Sequence, residues 1–107
     1  NVNYDHQIEY EPIPPCIILI DPVRMQQVID NIISNSYKYA GTKIMIESQI
    51  NQGYLEFSVS DFGTGISEEE LPLLFYISKY FMENMHGKIS CYNRKDGFTV
   101  VLKIKLA

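Results

Sequence analysis

Apolar residues recur at helical spacing across residues 25–40, and this segment organises the rest of the chain. At 100° per residue, one face of the predicted helix is formed by Met25, Val28, Ile29, Ile32 and Ser36. Asp21 supplies an N-cap and Pro22 suits the first helical position, while Gly41 stands where helices commonly end. We therefore predict an amphipathic helix that begins after Asp21 and buries this face.

A second stripe of polar side chains follows one edge of the same helix. It consists of Asn31, Asn35, Lys38 and Tyr39. Two amides, an ammonium group and a phenol ring together offer an oxygen to a hard cation, a positive charge to phosphate and a ring to a base. This combination indicates a helix that holds a nucleotide.

Alternating apolar residues predict two β-hairpins further along the chain. The first uses residues 44–59 with a turn at 51–53, and the second uses residues 89–106 with a turn at 95–97. In each strand the apolar residues lie on one face, so each hairpin has one face to bury.

The chain before the first helix has weaker signals. Residues 2–10 alternate weakly and are predicted as an edge strand. Three prolines within residues 11–15 force an extended connection, because proline fixes φ and lacks an N–H donor. Residues 16–20 form an apolar run that predicts a short buried strand.

Two helical segments are predicted between the hairpins. Ser67 and Glu70 have the spacing of a capping box and predict a short helix that ends at residue 74 or 75. Residues 76–85 carry a second helical pattern, which Gly87 closes as a C-cap.

These elements predict one α+β domain that spans residues 1–107. Strands and helices with one apolar face each need two layers, so we expect a mixed, mostly antiparallel sheet with helices packed on one face. A doubly wound parallel sheet needs a helix between successive strands, and the two consecutive hairpins exclude it.

Composition and charge remove several classes of function. The formal net charge of −4 argues against a nucleic-acid surface. No apolar run approaches the roughly 18 residues of a membrane span, and no signal peptide is recognisable, so no membrane contact is expected. Cys16 and Cys91 lie in apolar segments without metal-ligand spacing, and we expect both to be buried free thiols of a reducing compartment.

The order of four motifs carries a resemblance over nearly the whole chain. Residues 30–39 resemble an N box, residues 61–66 a G1 box of the form DxGxGI, residues 71–75 an F box, and residues 76–89 the helix and strand that follow a G2 box. This set resembles the catalytic and ATP-binding domain of sensor histidine kinases, in the superfamily of gyrase B, Hsp90 and MutL. The resemblance implies the Bergerat ATP-binding fold.

The resemblance assigns the N-box residues to the phosphates, the metal and the base. Asn35 would ligate Mg²⁺ through its side-chain oxygen, and Asn31 would support the metal, its water or a phosphate. Lys38 would face the phosphates, and Tyr39 would lie against the adenine. Asn31, Asn35 and Lys38 are the implied catalytic residues.

It assigns the second motif to the adenine. Asp61 would accept a hydrogen bond from the adenine amino group, and Gly63 and Gly65 would let the backbone approach the nucleotide closely. Ile66 completes the motif, and Phe75 would pack at the rim of the pocket. These residues are therefore counted with the cofactor-binding set.

The implied function is transfer of the γ-phosphoryl group of ATP to a histidine on a separate helical dimerisation and phosphoacceptor domain. ATP or ADP and Mg²⁺ are the implied ligands, and a response regulator is an indirect partner. The domain would lie in the cytoplasm, in a parent that is a membrane-anchored bacterial sensor. Asn31 stands where hydrolysing relatives carry a glutamate base, and an amide cannot take a proton from water, so slow hydrolysis is expected.

The chain departs from the family at the lid. The glycine-rich G2 box and the lid before it are absent, and Phe75 runs directly into Tyr76. Either the chain lacks the lid, or residues are missing at this point of the sequence. The family pattern resumes at once after Phe75, which favours the second explanation.

A lost lid leaves other functions open. These are a nucleotide-binding pseudokinase or regulatory domain, another ATPase or serine kinase of the superfamily, and an interaction module without nucleotide. A smaller departure is Gly97, where relatives often carry a threonine near the adenine pocket; Thr99 is a candidate substitute.

Overall fold

The fold was determined as a computed structural model, which describes residues 8–40, 43–63, 67 and 69–107, with backbone alone at 37–40 and 71–74. In chain order the elements are β1 (Ile8–Tyr10), α1 (Pro22–Ala40), β2 (Ile44–Asn51), β3 (Tyr54–Asp61), α2 (Leu71–Asn84), β4 (Lys88–Arg94) and β5 (Gly97–Lys105). Across the described ranges, neither helix combines the length and the apolar character needed to cross a bilayer.

The strands form one five-stranded sheet in the order β1-β2-β3-β5-β4. β1 runs parallel to β2, and every other neighbouring pair is antiparallel. In the first hairpin, Gln52 and Gly53 both have positive φ, 51° and 84°, which matches the twist that a two-residue hairpin turn requires. The predicted mixed, mostly antiparallel sheet and both hairpins are confirmed.

The core lies between the sheet and the two helices. Alternate residues of β3 and β5 are buried, namely Leu55, Phe57, Val59, Phe98, Val100, Leu102 and Ile104. On α1 the predicted face is buried at Met25, Val28, Ile32 and Ser36, with Ile29 partly buried beside it. Asp21 caps this helix as predicted, because its Oδ1 accepts hydrogen bonds from the N–H groups of Val23 (3.0 Å) and Arg24 (3.4 Å).

The predicted strand at residues 16–20 is wrong. Among the described residues, one isolated bridge, between Ile18 and Leu106, joins this segment to the sheet, and the side chains of Ile17 and Leu19 are exposed. Cys16 is a free, exposed thiol and Cys91 is half-buried, so the expected burial of Cys16 is also wrong. The segment runs along the end of β5, where only alternate side chains reach the core.

A single helix, α2, replaces the two predicted helical segments. It begins at Leu71, with Pro72 in its first turn, and runs without interruption to Asn84. The predicted capping box does not form, because the Oγ of Ser67 donates to the carboxylate of Glu70 (2.9 Å) and caps no backbone N–H of the helix. Phe75 and Tyr76 are consecutive residues inside α2, and both explanations for the missing lid stay predictions.

The end of α2 differs from prediction in which residue turns the chain. His86, not Gly87, has the left-handed conformation, with φ 61°. The N–H groups of His86 and Gly87 donate to the carbonyls of Glu83 (3.2 Å) and Met82 (2.9 Å), the pattern of a Schellman motif. Gly87 is required by packing, since a Cβ there would collide with the backbone carbonyl of Lys103.

Candidate functional site

Asp61 ends β3 as a buried carboxylate, with 3% of its surface exposed. Its Oδ1 accepts hydrogen bonds from the N–H of Gly63 (3.1 Å) and the N–H of Phe98 (3.2 Å). Within the described residues both bonds go to Oδ1, so Oδ2 keeps its lone pairs for a further donor. Strand alternation places this side chain on the same face as Val59, which is the face that the helices cover.

The backbone of Asp61 is held from the side by Arg94, at the end of β4. The Nη2 of Arg94 donates to the Asp61 carbonyl (2.7 Å), and its Nη1 donates to the Phe98 carbonyl (3.2 Å) and to the hydroxyl of Thr99. Sequence reasoning missed Arg94, because nothing in the turn that contains it signals a contact with residues more than thirty positions earlier.

Thr99 does not take the place of the threonine that relatives often carry near the adenine pocket. It is 2% exposed, and its Oγ1 lies 2.9 Å from the Oγ of Ser60. Ser60 and Thr99 are register partners one residue away from the pair Asp61 and Phe98. Successive residues of a strand point to opposite faces, so Thr99 faces away from the Asp61 carboxylate.

On α1, the first asparagine of the polar stripe is bound to α2. The Nδ2 of Asn31 donates to the Oγ of Ser78 (3.0 Å), and Ser78 is 1% exposed. Asn35 lies one turn further along α1 and is half-buried. Because α1 packs on β3, both asparagines are on the same side of the sheet as Asp61.

An open pocket of about 360 Å³ lies between the two helices. Its lining residues are Arg24, Gln27, Asn31, Ile77, Ser78 and Phe81. The guanidinium carbon of Arg24 lies 5.0 Å from the ring centre of Phe81, which closes one side of the pocket.

Phe75 is buried at the sheet side of α2, with 7% of its surface exposed. Its ring lies 6.3 Å from that of Phe98, with an interplanar angle of 15°. Since Phe98 is the register partner of Asp61, Phe75 covers the sheet beside the carboxylate.

The structure therefore brings Asp61, Gly63 and Phe75 together around Phe98, and it places Asn31 and Asn35 on α1 above the same face. Gly65 and Ile66 lie outside the described residues, as do the side chains of Lys38 and Tyr39. The roles predicted for these four residues stay predictions, as do the nucleotide and metal roles predicted for the described site residues.

A five-stranded mixed sheet with two helices on one face, and a buried Asp-x-Gly turn at the end of a central strand, define an α+β domain of the Bergerat ATP-binding type. The family model described as histidine kinase-, DNA gyrase B- and HSP90-like ATPase matches residues 20–107, and the chain belongs to that family.

Curated relatives include sensor histidine kinases. The chain is 39% identical over 66 residues to sensor histidine kinase RcsC of Escherichia coli, a match that covers 61% of the chain and 7% of RcsC. It is 43% identical over 51 residues to sensor histidine kinase GraS of Staphylococcus haemolyticus, which covers 47% of the chain and 15% of GraS. The chain thus spans a small part of these relatives.

Solved structures share the fold. The ATP-binding domain of PrrB from Mycobacterium tuberculosis superimposes with a TM-score of 0.82 at 24% identity, over 94% of this chain and 79% of that one. The histidine kinase domain of the E. coli osmosensor EnvZ gives a TM-score of 0.77 at 19% identity, over 98% and 78%. The predicted α+β two-layer fold is confirmed.

Proposed function

We propose that this chain binds ATP as the catalytic domain of a sensor histidine kinase and supplies the γ-phosphoryl group to a histidine of a helical dimerisation and phosphoacceptor domain. The observation that carries the proposal is the Asp61 carboxylate. It is buried, it is oriented by two backbone donors, and within the part of the chain that the structure describes its second oxygen has lone pairs left for a ligand. The sensor histidine kinases among the curated relatives support the same reading.

At the base end of the site, Oδ2 of Asp61 accepts a hydrogen bond from the adenine amino group. The hydrogen bond from the Gly63 N–H folds the start of the loop back over the carboxylate, which brings the backbone close to the base. The resemblance implies that Gly65, Ile66 and Tyr39 also belong to the base end of the site.

At the phosphate end, Asn35 supplies an oxygen to Mg²⁺ and Lys38 supplies a positive charge. Among the described residues, no three His, Cys, Asp or Glu side chains cluster as a metal site. A single amide oxygen nevertheless suits Mg²⁺, which keeps several waters and substrate phosphates among its ligands. When bound, the ion neutralises negative charge on the phosphates.

Asn31 makes transfer more favourable than hydrolysis. An amide cannot act as a general base toward water, so the chain would accelerate transfer by positioning and by charge neutralisation. Its hydrogen bond to Ser78 fixes the amide relative to α2, so Asn31 supports the phosphate end from a defined position.

The remaining parts of the system follow from the same proposal. The acceptor histidine lies on a partner helical domain, and a response regulator then receives the phosphoryl group. The domain works on the cytoplasmic side of a membrane-anchored parent. We expect His86 not to be the acceptor; its backbone has the left-handed conformation at the end of α2.

A second candidate function is a nucleotide-binding regulatory domain without transfer activity. What favours it is the sequence, in which Tyr76 follows Phe75 directly where the resemblance implies a lid and a glycine-rich cradle for phosphate. A serine kinase or ATPase of the same superfamily is less favoured, because Asn31 lacks the basic oxygen that hydrolysis needs.

The first test is calorimetric binding of Mg-ATP to the wild-type chain, to Asp61→Asn and to the matched control Glu83→Gln. Asp61→Asn keeps the size of the side chain but places a donor amide where the adenine amino group must donate. We expect it to lose affinity at least about tenfold, the effect of one hydrogen bond lost from a buried site. Glu83 is exposed on α2, and its variant should bind as the wild type does.

The second test supplies a phosphoacceptor domain in trans with Mg-ATP and measures phosphohistidine. Transfer that disappears in Asn35→Ala supports the kinase, whereas ATP binding without any transfer supports the regulatory alternative. Equal ATP affinity of the wild type and Asp61→Asn would contradict the proposed site.

A further inference from the structure

We propose that Arg94 is a positioning residue of the nucleotide site: its guanidinium fixes the backbone at Asp61 and Phe62, and preference for a base with an amino group depends on that contact. The inference rests on the proposed function, because it concerns how the Asp61 carboxylate is held toward the base.

The hydrogen bonds of Arg94 join the ends of two strands. Its guanidinium donates to the Asp61 carbonyl on β3 (2.7 Å) and to the Phe98 carbonyl on β5 (3.2 Å). These two residues are the last register pair between the strands, so no further pair of this ladder holds the chain beyond them. A planar group with several donors in fixed positions is pre-organised to bind both carbonyls at once, whereas the donors of an ammonium group rotate freely.

The same guanidinium also contacts the next residue of the loop. Its central carbon lies 5.2 Å from the ring centre of Phe62, and the Nζ of Lys43 lies 5.4 Å from that ring. Phe62 stands between Asp61 and Gly63, the donor that orients the carboxylate. Arg94 therefore holds the residues on which the direction of the Asp61 side chain depends.

Neighbouring residues hold the Arg94 side chain in this position and leave room for it. The carboxylate of Asp96 lies 3.3 Å from its Nε, and the Arg94 side chain is only 22% exposed. A Cβ on Gly97 would collide with the Asp61 carbonyl and crowd the guanidinium. The absence of a side chain at Gly97 is thus what lets Arg94 and the Asp61 carbonyl meet.

Arg94 acts through Asp61 and does not contact the base. The Arg94 side chain lies on the same face of the sheet as Thr99, and the Asp61 carboxylate lies on the opposite face. A hydrogen bond weakens steeply when its angle is lost, so a small rotation of the Asp61 backbone would remove the bond to an amino group. Inosine triphosphate carries a carbonyl in place of the adenine amino group. The ratio of the affinities for ATP and inosine triphosphate therefore reports whether the Asp61 carboxylate is positioned to accept a hydrogen bond from the amino group.

The experiment measures binding of Mg-ATP and Mg-inosine triphosphate to the wild type, Arg94→Ala, Arg94→Lys and Lys95→Ala. Lys95→Ala is the matched control, because it removes one positive charge from the same turn and should keep both affinities. We expect Arg94→Ala to lose ATP affinity about tenfold while its affinity for inosine triphosphate is unchanged. The ratio of the two affinities should therefore fall toward one. Arg94→Lys keeps the charge but lacks the fixed planar arrangement of donors, so its ATP affinity should fall between those of the wild type and Arg94→Ala.

A readout without nucleotide separates local positioning from general stability. Amide hydrogen exchange should speed up at Gly63 and Phe98 in Arg94→Ala and should be unchanged at Gly87, the far end of α2. If Arg94→Ala keeps the wild-type preference for ATP, the inference is wrong and the proposed function stands. If the wild type binds neither nucleotide, the proposed function fails and the inference falls with it. Should Arg94→Ala not fold, Arg94→Lys is judged by the same preference.

Discussion

The amide of Asn31 and the hydroxyl of Ser78 lie 3.0 Å apart and join the two helices across their buried faces. Asn31 belongs to the polar stripe of α1, which we predict to face the phosphates. Ser78 belongs to a buried stripe of α2 that also contains Phe75 and Met82. One hydrogen bond therefore links the proposed phosphate end of the site to the helix that covers its base end.

Replacement of Ser78 by alanine should lower the free energy of unfolding. The variant removes a buried acceptor from Asn31, and such a loss costs about 1 kcal/mol after the better helix propensity of alanine is included. Urea unfolding measures the change, with Ser90→Ala on an exposed position of β4 as the control. A Ser78→Ala variant as stable as the wild type would show that this bond contributes nothing net.

Replacement of His86 by glycine should stabilise the chain. A side chain at φ 61° carries a steric cost of about 1 kcal/mol that glycine avoids. Thermal unfolding at one protein concentration measures the gain. Asn84→Gly is the control, because that residue is the last of α2 and glycine there should not be stabilising. Destabilisation by His86→Gly would mean that the imidazole makes a stronger contact than the turn geometry requires.

The two cysteines should react with alkylating reagents at different rates. Cys16 is exposed, whereas burial raises the pKa of the Cys91 thiol above its ordinary value of 9.0. The thiolate is the reactive form, so at pH 8 modification of Cys91 should be slower. Mass spectrometry of the folded protein measures both sites, and in denaturant their rates should converge. Faster modification of Cys91 in the folded chain would contradict the burial.

The same thiol predicts a pH dependence of stability. Because the folded pKa of Cys91 is raised, its contribution is fully present below the unfolded value of 9.0 and is lost as pH rises through the folded value. Denaturation measured on either side of pH 9 should therefore show a decline that Cys91→Ala reduces. A decline of equal size in that variant would assign it to other groups.

Metal removal should separate the two ends of the nucleotide site. If Asn35 binds Mg²⁺, then Asn35→Ala should weaken Mg-ATP binding and leave adenosine binding unchanged, while Asp61→Asn should weaken both. Addition of EDTA to the wild type should reproduce the Asn35→Ala result. Calorimetry with the two ligands checks this, and loss of adenosine binding in Asn35→Ala would place Asn35 at the base end instead.

The parts of the fold that the sequence predicts well are those with strong periodicity and local signals. The N-terminus of α1 follows from the Asp21 side chain and Pro22, both of which act on their own helix. The first hairpin follows from Gly53, whose positive φ the turn needs. Such features depend on neighbours in the chain and are visible without the tertiary structure.

The wrong predictions concern features that are determined by residues distant in the sequence. Residues 16–20 have the composition of a buried strand, but among the described residues one isolated bridge, at the end of β5, joins them to the sheet. Gly87 has the appearance of a C-cap, although its role is to leave room for the Lys103 carbonyl. In the candidate site, Asp61 was predictable from its motif, whereas Arg94 was not, because its contacts depend on the register between β3, β5 and β4.

Helix α2 passes from Phe75 to Tyr76 with no residue between them. If the proposed function holds and the chain has no lid, a nucleotide anchored by its base at Asp61 would have a terminal phosphate open to water and to a docking partner. Its residence time would then be governed by the breaking of contacts at the base.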